Sequence, residues 1–391
     1  MLVSEEFPPF MFGGIGAVAF DLASSLSKRK LSTVVFCGRS KKMTTEKPND
    51  YLEIIRLPCL DLPPRFLWFQ VQNFLRILGR RGCGIIHAVS PQVAFLCAHL
   101  KKALRRPLIT SYHGVPFYEL RGFVNSPIRY WTLGDFGYNL LEFPLNDTLI
   151  RCSLQNSEKI VACSRAMLSE LRTFYGSIDP QKSLIINNGV DFEKIEKSKD
   201  SSKESENTDD LSILFAGRLY YLKGITFLIR ALQYLLPEYP SLKLNIFGTG
   251  PLKDKIQALV LNRGLKNNVF LHGQVDRSQL IRETSEASVI VCPSLREAQP
   301  VSVLEAMALK KPVVAFDVPF AREIIIDQHS GFLARVGDSR DLAAKIGISL
   351  SDRKLRDRIG QNAYEHVKQD HDWDKLVNKY IDLYEDTASS R

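Results

Sequence analysis

The first half of the chain alternates short apolar runs with longer segments in which apolar residues recur every three or four positions. Short apolar runs bounded by turn residues are typical of buried strands, whereas the longer periodic segments are typical of helices packed on a sheet. This alternation predicts a parallel sheet with helices on both faces. The predicted strands are 31–37, 84–89, 107–112 and 159–163, and the predicted helices are 17–30 and 65–81.

A polar stretch separates this half from a second half with the same pattern. Residues 193–210 are rich in Lys, Glu, Ser and Asp and contain one large apolar side chain, Ile195, so they indicate a linker. The alternation then restarts, and 391 residues are too many for a single ordinary core. The later predicted strands are 211–216, 242–247, 269–272, 287–292 and 312–316, with a helix at 225–236.

We therefore predict an α/β fold of two Rossmann-like, doubly wound parallel-sheet domains. The predicted parts are an N-terminal domain at 1–190, a linker at 191–210, a C-terminal domain at 211–371 and a terminal helix at 372–391. Ligands of such sheets bind beyond the carboxyl ends of the strands. The residues that follow each strand are therefore the candidates for a functional site.

Composition narrows the class of protein. Hydrophobic residues make up 45% and charged residues 24%, as in an ordinary soluble protein. The seven cysteines are scattered and form no C-x-x-C pair, which argues against a disulfide framework or a zinc site and favours a reducing compartment. We expect a cytoplasmic protein with no membrane-spanning helix and no signal peptide. Met1–Ser4 is short for a buried first strand, which leaves open whether the native start lies upstream of Met1.

The net charge of +9 is unevenly distributed. Residues 1–190 hold 23 Lys and Arg against 14 Asp and Glu, whereas residues 191–391 hold 29 of each. A basic half suggests an anionic partner, such as the inner face of the cell membrane, a phosphorylated carrier or a nucleic acid. We expect no nucleic-acid partner, because the sequence shows no recognition module or stacking platform. A basic surface that serves only solubility is the plain alternative.

Two cations follow the first strand of the predicted C-terminal domain. Residues 217–224 read Gly-Arg-Leu-Tyr-Tyr-Leu-Lys-Gly, which places Arg218 and Lys223 on a loop before a helix. Free amides and the helix dipole favour anions at a helix N-terminus, so this loop suits a diphosphate. Arg and Lys five positions apart on a loop also occur without any such role.

Two glutamates flank the start of a later helix. Glu297 follows the strand that ends at Cys292, and Glu305 comes after a further seven residues, beyond Pro300, which suits the first turn of a helix. A carboxylate on such a loop can accept hydrogen bonds from sugar hydroxyls. A helix-capping Glu297 with a solvated Glu305 is the alternative.

Taken together, these segments resemble family-four glycosyltransferases with the GT-B fold, which are retaining enzymes. The two glutamates followed by Ala-Met-Ala after a strand ending in Pro-Ser resemble that family's signature, and residues 217–224 resemble its diphosphate-binding segment. Further similar segments, in the family's order, are residues 1–9 with Gly13-Gly14, Tyr112-His113-Gly114, Asn188-Gly189-Val190-Asp191 and Gly248-Thr249-Gly250-Pro251.

The resemblance implies two domains facing a central cleft and a role for each matching residue. Arg218 and Lys223 would hold the donor diphosphate and stabilise the leaving group, Glu305 would bind the donor ribose, and Glu297 would bind the transferred sugar. His113 would hydrogen-bond the sugar, and Gly13 and Gly14 would let the chain approach the donor phosphates or the acceptor. The loop backbone of Ala298, Gln299, Pro300 and Val301 would contact phosphate and sugar. Ala298 departs from the glycine that the family often has there.

The function implied is metal-independent transfer of a hexose-type sugar from a nucleotide sugar, most simply a UDP- or GDP-sugar, to a hydroxyl acceptor. The acceptor is a glycan, a lipid-linked molecule or a small molecule, and the nucleotide sugar is a substrate, so no cofactor is expected. Retention is usually explained in this family without a protein nucleophile, the departing phosphate helping to accept the incoming hydroxyl's proton. A nucleotide-sugar epimerase of the same fold and a catalytically inactive binding subunit are the alternatives.

Three other patterns carry less weight. Residues 14–19 match G-x-G-x-x-A, but the next strand ends in Cys-Gly-Arg with no acid for a ribose. Residues 370–374 read Asp-His-Asp-Trp-Asp, which fits the first turn of a helix running to Glu385 better than a metal site. The helix at 65–81 fits a membrane surface or packing on the sheet, and we favour packing.

Overall fold

The computed structural model describes the chain except for residues 10–12, 41–42, 60–64, 80–81, 116–119, 121–123, 125–126, 129–130, 132–142, 177, 200–210 and 390–391. The chain forms two compact units. The first consists of Met1–Tyr118, Tyr138–Gly189 and Trp373–Arg391, and the second of Glu119–Gly137 and Val190–Asp372.

The first unit is built on an eight-stranded sheet with the order β3-β4-β2-β1-β5-β6-β7-β8. All neighbouring strands are parallel except β3, which pairs antiparallel with β4 at one edge. We did not predict β3, because Thr44–Asn49 is a polar, fully exposed segment that contains Pro48, as suits an edge strand. The strands are β1 (Leu2–Ser4), β2 (Thr33–Ser40), β3 (Thr44–Asn49), β4 (Leu52–Pro58), β5 (Ile86–Ala88), β6 (Leu108–Tyr112), β7 (Lys159–Ala162) and β8 (Ser183–Ile185).

Helices cover this sheet, and the C-terminal helix is one of them. Trp373, at its start, is buried beside Gly189, and Arg29 donates to the carbonyl of Asp374 at 2.8 Å. The C-terminal helix thus packs against the first helix of the chain. The helices of this unit are α1 (Gly14–Lys28), α2 (Arg65–Leu78), α3 (Ala94–Leu104), α4 (Phe143–Asn156), α5 (Arg165–Tyr175) and α14 (Trp373–Ser389).

The second unit has a six-stranded parallel sheet with the order β11-β10-β9-β12-β13-β14. Its buried side chains form one continuous core. The strands are β9 (Ser212–Ala216), β10 (Lys243–Phe247), β11 (Val269–Gly273), β12 (Val289–Cys292), β13 (Val313–Phe316) and β14 (Phe332–Ala334). The helices are α6 (Phe192–Lys199), α7 (Ile225–Leu235), α8 (Lys253–Asn262), α9 (Arg277–Glu286), α10 (Val301–Ala308), α11 (Pro319–Ile324), α12 (Ser339–Ser351) and α13 (Arg353–Asp370).

The predicted linker at 191–210 needs a correction. Its first part is the helix α6, which belongs to the second unit, while residues 200–210 lie outside the described part of the chain. Phe192 and Ile195 are buried in the core, and the ring of Phe192 packs 5.5 Å from that of Tyr364. Two apolar side chains one turn apart lie on the same face of a helix, so they can anchor a short helix to the core even though its other residues are polar.

In each sheet the carboxyl ends of the parallel strands therefore lie at one edge, as the alternation of strands and helices along the sequence predicts. Within the described residues, no helix has the length and apolar character needed to cross a bilayer.

Candidate donor-binding site

The second unit brings the predicted diphosphate loop against the loop that carries Glu297. After β9 the chain makes a 3₁₀ turn, Tyr221–Lys223, and enters α7 through Gly224. The N–H of Leu295 donates to the carbonyl of Leu222 at 2.8 Å, which joins the two loops. β9 and β12 are neighbours in the sheet, so the segments that follow them meet at one edge.

Gly224 allows this close approach. Its φ is +67°, and a Cβ at this position would lie 1.7 Å from the carbonyl oxygen of Pro293. Only glycine combines the left-handed backbone with so short a distance to another main chain. The loop of Lys223 is thereby fixed against the segment that leads to Glu297.

Lys223 and Glu297 form an ion pair in which both side chains are largely buried. The hydroxyl of Ser294 donates to the same oxygen, Oε1 of Glu297, at 2.9 Å. Among the described residues, both side-chain partners of this carboxylate bind Oε1. Oε2 can therefore accept hydrogen bonds from a ligand.

The pair sets the local electrostatics. Burial disfavours the ammonium of Lys223, but the adjacent Glu297 carboxylate outweighs it, and the pKa of Lys223 is raised above its usual value. Burial, reinforced by Glu297, raises the pKa of the Cys292 thiol to about 11. At neutral pH the site therefore holds a cationic Lys223 and a neutral Cys292. A neutral thiol is a poor nucleophile, so this site does not supply a thiolate.

Arg218 adds an exposed positive charge next to this pair. Its guanidinium lies 5.5 Å from the centre of the Tyr220 ring, and the ammonium of Lys223 lies 5.9 Å from the same centre. Cations at such distances are attracted to an aromatic face. The ring of Tyr220 thus lies close to both side chains, Arg218 and Lys223, that are predicted to bind the diphosphate.

The glycine turn after β10 supports the same loop. The N–H of Leu219 donates to the carbonyl of Thr249 at 2.9 Å, and the N–H of Leu252 donates to the carbonyl of Leu219 at 2.9 Å. A Cβ on Gly248, whose φ is +132°, would lie 2.1 Å from the carbonyl oxygen of Gly217. The loop that carries Arg218 is therefore fixed on both sides.

Glu305 is buried, and its partner was not recognised in the sequence. Arg277 Nε donates to Glu305 Oε1 at 2.6 Å, and the Glu305 side chain is 8% exposed. The solvated Glu305 of the alternative interpretation is therefore ruled out. A sequence signal for the local structure exists, because Asp276 caps α9 through the N–H of Gln279 and so places Arg277 at the first helical position.

The loop between the two glutamates leads directly into α10. Pro300 is the residue before the helix, which begins at Val301, one position later than the sequence suggested. Gln299 is buried, and Ala298 is half-buried. Glu297 does not cap α10, since no side chain caps this helix, and its carboxylate faces Lys223 instead.

The other predicted residues lie in the first unit, at the carboxyl ends of β1 and β6. Gly13 caps α1, and Gly14 is its first residue, with open space where a Cβ of Gly13 would lie. His113 directly follows β6. Burial lowers the pKa of His113 to about 4, and neither of its buried ring nitrogens has a hydrogen-bond partner among the described residues.

The described residues contain no group of three His, Cys, Asp or Glu side chains arranged to hold a metal ion. In the Asp-His-Asp-Trp-Asp segment, Asp372 forms a β-bridge with Val190, and His371 is buried. The prediction that the acids of this segment lie in the first turn of a helix holds for Asp374 alone, because Asp370 ends α13 and α14 begins at Trp373.

Two family profiles match the sequence. The profile of the family described as Glycosyltransferase Family 4 matches residues 12–194, and that of Glycosyl transferases group 1 matches residues 196–366. An uncharacterized glycosyltransferase of Methanocaldococcus jannaschii is 25% identical, over 98% of this chain and 97% of its own.

Solved structures show the same fold. Sucrose-phosphate synthase from Thermosynechococcus elongatus superposes with a TM-score of 0.82 at 20% identity, covering 100% of this chain and 99% of the other. HepE from Anabaena, solved in complex with UDP and glucose, superposes with a TM-score of 0.73 at 16% identity, covering 98% of each chain. Enzymes of this group take nucleotide sugars as substrates. The two profiles, which together span most of the sequence, and the shared two-sheet architecture show that this chain belongs to the group 1 glycosyltransferases with the GT-B fold.

Proposed function

We propose that this glycosyltransferase transfers a hexose-type sugar from a UDP- or GDP-sugar to a hydroxyl acceptor, with retention of the anomeric configuration and without a metal ion. The observation that carries the proposal is the cluster of Arg218, Lys223 and Glu297 at the carboxyl ends of β9 and β12. It offers two cations to a diphosphate and one carboxylate oxygen to sugar hydroxyls. The UDP and glucose bound to the Anabaena relative support this class of donor.

In the proposed reaction, the bond from the anomeric carbon to the diphosphate oxygen breaks, and a bond from that carbon to the acceptor oxygen forms on the same face. The departing diphosphate accepts the proton of the acceptor hydroxyl. Lys223 and Arg218 stabilise the negative charge that develops on the leaving group. Lys223 has three N–H donors, so it can bind a phosphate while it keeps its bond to Glu297.

Glu305 would bind the ribose hydroxyls, and the loop of Ala298, Gln299, Pro300 and Val301 would contact phosphate and sugar. In the first unit, Gly13 and Gly14 would admit the donor phosphates or the acceptor. His113 is held neutral by burial, and its unpartnered nitrogens suit hydrogen bonds with a sugar hydroxyl.

The test is a thermal-shift screen in EDTA against UDP, GDP, ADP and their common sugar derivatives. A ligand at a hundred times its Kd stabilises the native state by about 2.7 kcal/mol, so the matching base should give a clear shift. NMR of the product then reports the anomeric configuration. Conversion of the donor without any acceptor would indicate an epimerase, and a folded protein with no shift for any nucleotide would contradict the proposed site.

A further inference from the structure

The helix α2 has two buried amide side chains on its inner side and two exposed apolar side chains on its outer side. Gln70 and Asn73 are buried, where Gln70 Oε1 accepts from the N–H of Leu96 at 2.8 Å and Asn73 Nδ2 donates to the last carbonyl of β4 at 2.9 Å. On the opposite side, Val71 is 67% and Leu75 is 76% exposed. A surface helix of a soluble protein normally has polar residues on its outer side.

Phe69 and Ile77 fill the core from the inner face of α2, so this helix packs on the sheet as the sequence analysis favoured. The exposed apolar residues are therefore additional to those that fold the protein. Val71 and Leu75 are neighbours on the helix surface, one turn apart. Such a surface needs its own explanation.

The apolar surface extends onto α3. Phe95 is 45% exposed, and its ring lies 4.4 Å from that of His99, which lies 6.4 Å from the ring of Phe74 on α2. We refer to Val71, Leu75 and Phe95 as the apolar stripe. It runs across two helices of the first unit.

Positive charge borders the apolar stripe. Residues 62–118 contain eight Lys and Arg and no Asp or Glu, so most of the excess charge of the first half lies in this stretch of the sequence. Arg76 on α2, Lys102 on α3 and Arg106 just beyond it are exposed. Lys102 follows Phe95 and His99 at helical spacing and so continues the same face of α3, and Arg106 lies two residues beyond the end of that helix.

We propose that the apolar stripe and its bordering cations dock this unit on a bilayer that contains anionic lipid. Protein surfaces that enter the headgroup region of a bilayer carry aliphatic and aromatic side chains beside Lys and Arg. Acidic lipids attract these cations. A second copy of the chain fits poorly, because a symmetric contact would place the exposed cations Arg76, Lys102 and Arg106 against their own copies. This docking is independent of the proposed transfer reaction.

The test is co-sedimentation of the full chain with vesicles of phosphatidylcholine alone and of phosphatidylcholine mixed with phosphatidylglycerol. The expected result is binding to the anionic vesicles, weakened by salt, and much weaker binding to the neutral ones. Binding to neither kind, or equal binding to both, would overturn the proposal.

Variants separate the two components of the surface. Val71→Ser with Leu75→Ser, and separately Lys102→Glu with Arg106→Glu, should each lower binding at least about tenfold, because each exposed cation near the membrane contributes about fivefold and buried methyl groups contribute similarly. Matched controls on the second unit are Leu261→Ser with Ile348→Ser and Arg353→Glu with Lys354→Glu, which should bind as the unmodified protein does. All four positions of the test variants are exposed, and unchanged unfolding curves check that the fold is kept.

Binding of either test variant at the unmodified level would refute the docking surface. So would a concentration-dependent dimer, seen by light scattering, that Val71→Ser with Leu75→Ser abolishes while vesicle binding stays unchanged.

Discussion

Arg277 donates through Nε to Glu305 Oε1 at 2.6 Å and thereby ties the first turn of α9 to the middle of α10. Glu305 is the residue that we propose for ribose binding. Its carboxylate is buried, and a buried carboxylate without a partner is strongly disfavoured. Arg277 therefore compensates the burial of this carboxylate and fixes one of its oxygens, and we propose that Arg277 is a positioning residue for the nucleotide.

Replacing Arg277 by Ala should weaken binding of the matching nucleoside diphosphate roughly tenfold, or about 1.4 kcal/mol. It should also lower the stability of the second unit by about 3 kcal/mol, because Glu305 is left unpaired. Isothermal titration calorimetry with the ribo- and 2′-deoxyribonucleotide gives the decisive measurement. The preference for the ribonucleotide should shrink in Arg277→Ala and be partly kept in Arg277→Lys.

Arg282→Ala, on the same helix, is the matched control and should leave both affinities unchanged. An unaltered ribose preference in Arg277→Ala would show that the Arg277–Glu305 pair is purely structural.

Replacing Glu297 by Ala or Gln should lower kcat at least about a hundredfold if this carboxylate binds the transferred sugar. Glu297→Gln keeps a hydrogen-bonding group for Lys223 and Ser294, so its unfolding curve should stay closer to that of the unmodified protein than the curve of Glu297→Ala. Steady-state kinetics with the donor identified by thermal shift provides the measurement, and Glu286→Gln is an exposed control. Near-normal turnover in Glu297→Gln would count against the assigned site.

The contact between Gly224 and Pro293 can be tested with a matched pair of glycines. Gly224 and Gly264 have φ of +67° and +68°, but a Cβ at Gly264 would meet nothing within 4 Å. Gly264→Ala should cost about 1–2 kcal/mol for the left-handed backbone alone, and Gly224→Ala about 3 kcal/mol or more. Denaturant unfolding measures both, and equal losses would show that the loops can separate without cost.

A buried histidine should make the first unit sensitive to acid. His87 Nδ1 hydrogen-bonds with the hydroxyl of Tyr384 at 2.7 Å, its Nε2 hydrogen-bonds with the hydroxyl of Ser111 at 2.8 Å, and burial lowers its pKa to about 3. In the unfolded chain the imidazole of His87 is protonated near pH 6.5, whereas in the folded chain it stays neutral down to about pH 3. The contribution of His87 to the free energy of unfolding is therefore fully present above pH 6.5 and is lost as the pH drops towards 3. The expected loss from His87 is about 2 kcal/mol between about pH 7.5 and about pH 5.

Chemical unfolding at the two pH values measures this loss, which should shrink in His87→Gln. The exposed His329, replaced by Gln, serves as the control. An identical pH dependence in His87→Gln and the unmodified protein would exclude His87 as the cause.

The sequence was most informative where apolar residues alternate cleanly. The strands β9, β10 and β13 lie within one residue of their predicted starts, because each is a short buried run bounded by turn residues. The exposed polar strand β3 and the short helix α6 were missed, since their positions depend on a neighbouring strand and on two apolar side chains rather than on a periodic pattern.

The candidate site was predictable to a similar degree. Arg218, Lys223 and Glu297 could be named from their positions after strands and from the family resemblance. The Arg277–Glu305 pair could not, because the two residues lie on different helices and nothing in their spacing connects them. The apolar stripe was also not predictable, since the sequence of α2 contains apolar residues all round and only the fold decides which of them are buried.

The C-terminal helix α14 has a consequence for the order in which the protein folds during synthesis. Its residue Tyr384 hydrogen-bonds with His87, 297 positions earlier, and its start packs with α1. The core of the first unit, although translated first, therefore lacks one of its layers until the ribosome has made the last described helix. The sheet and helices of the second unit come from the continuous segment Val190–Asp372, which can complete its core earlier. Nascent chains consequently expose the unfinished surface of the first unit for most of translation.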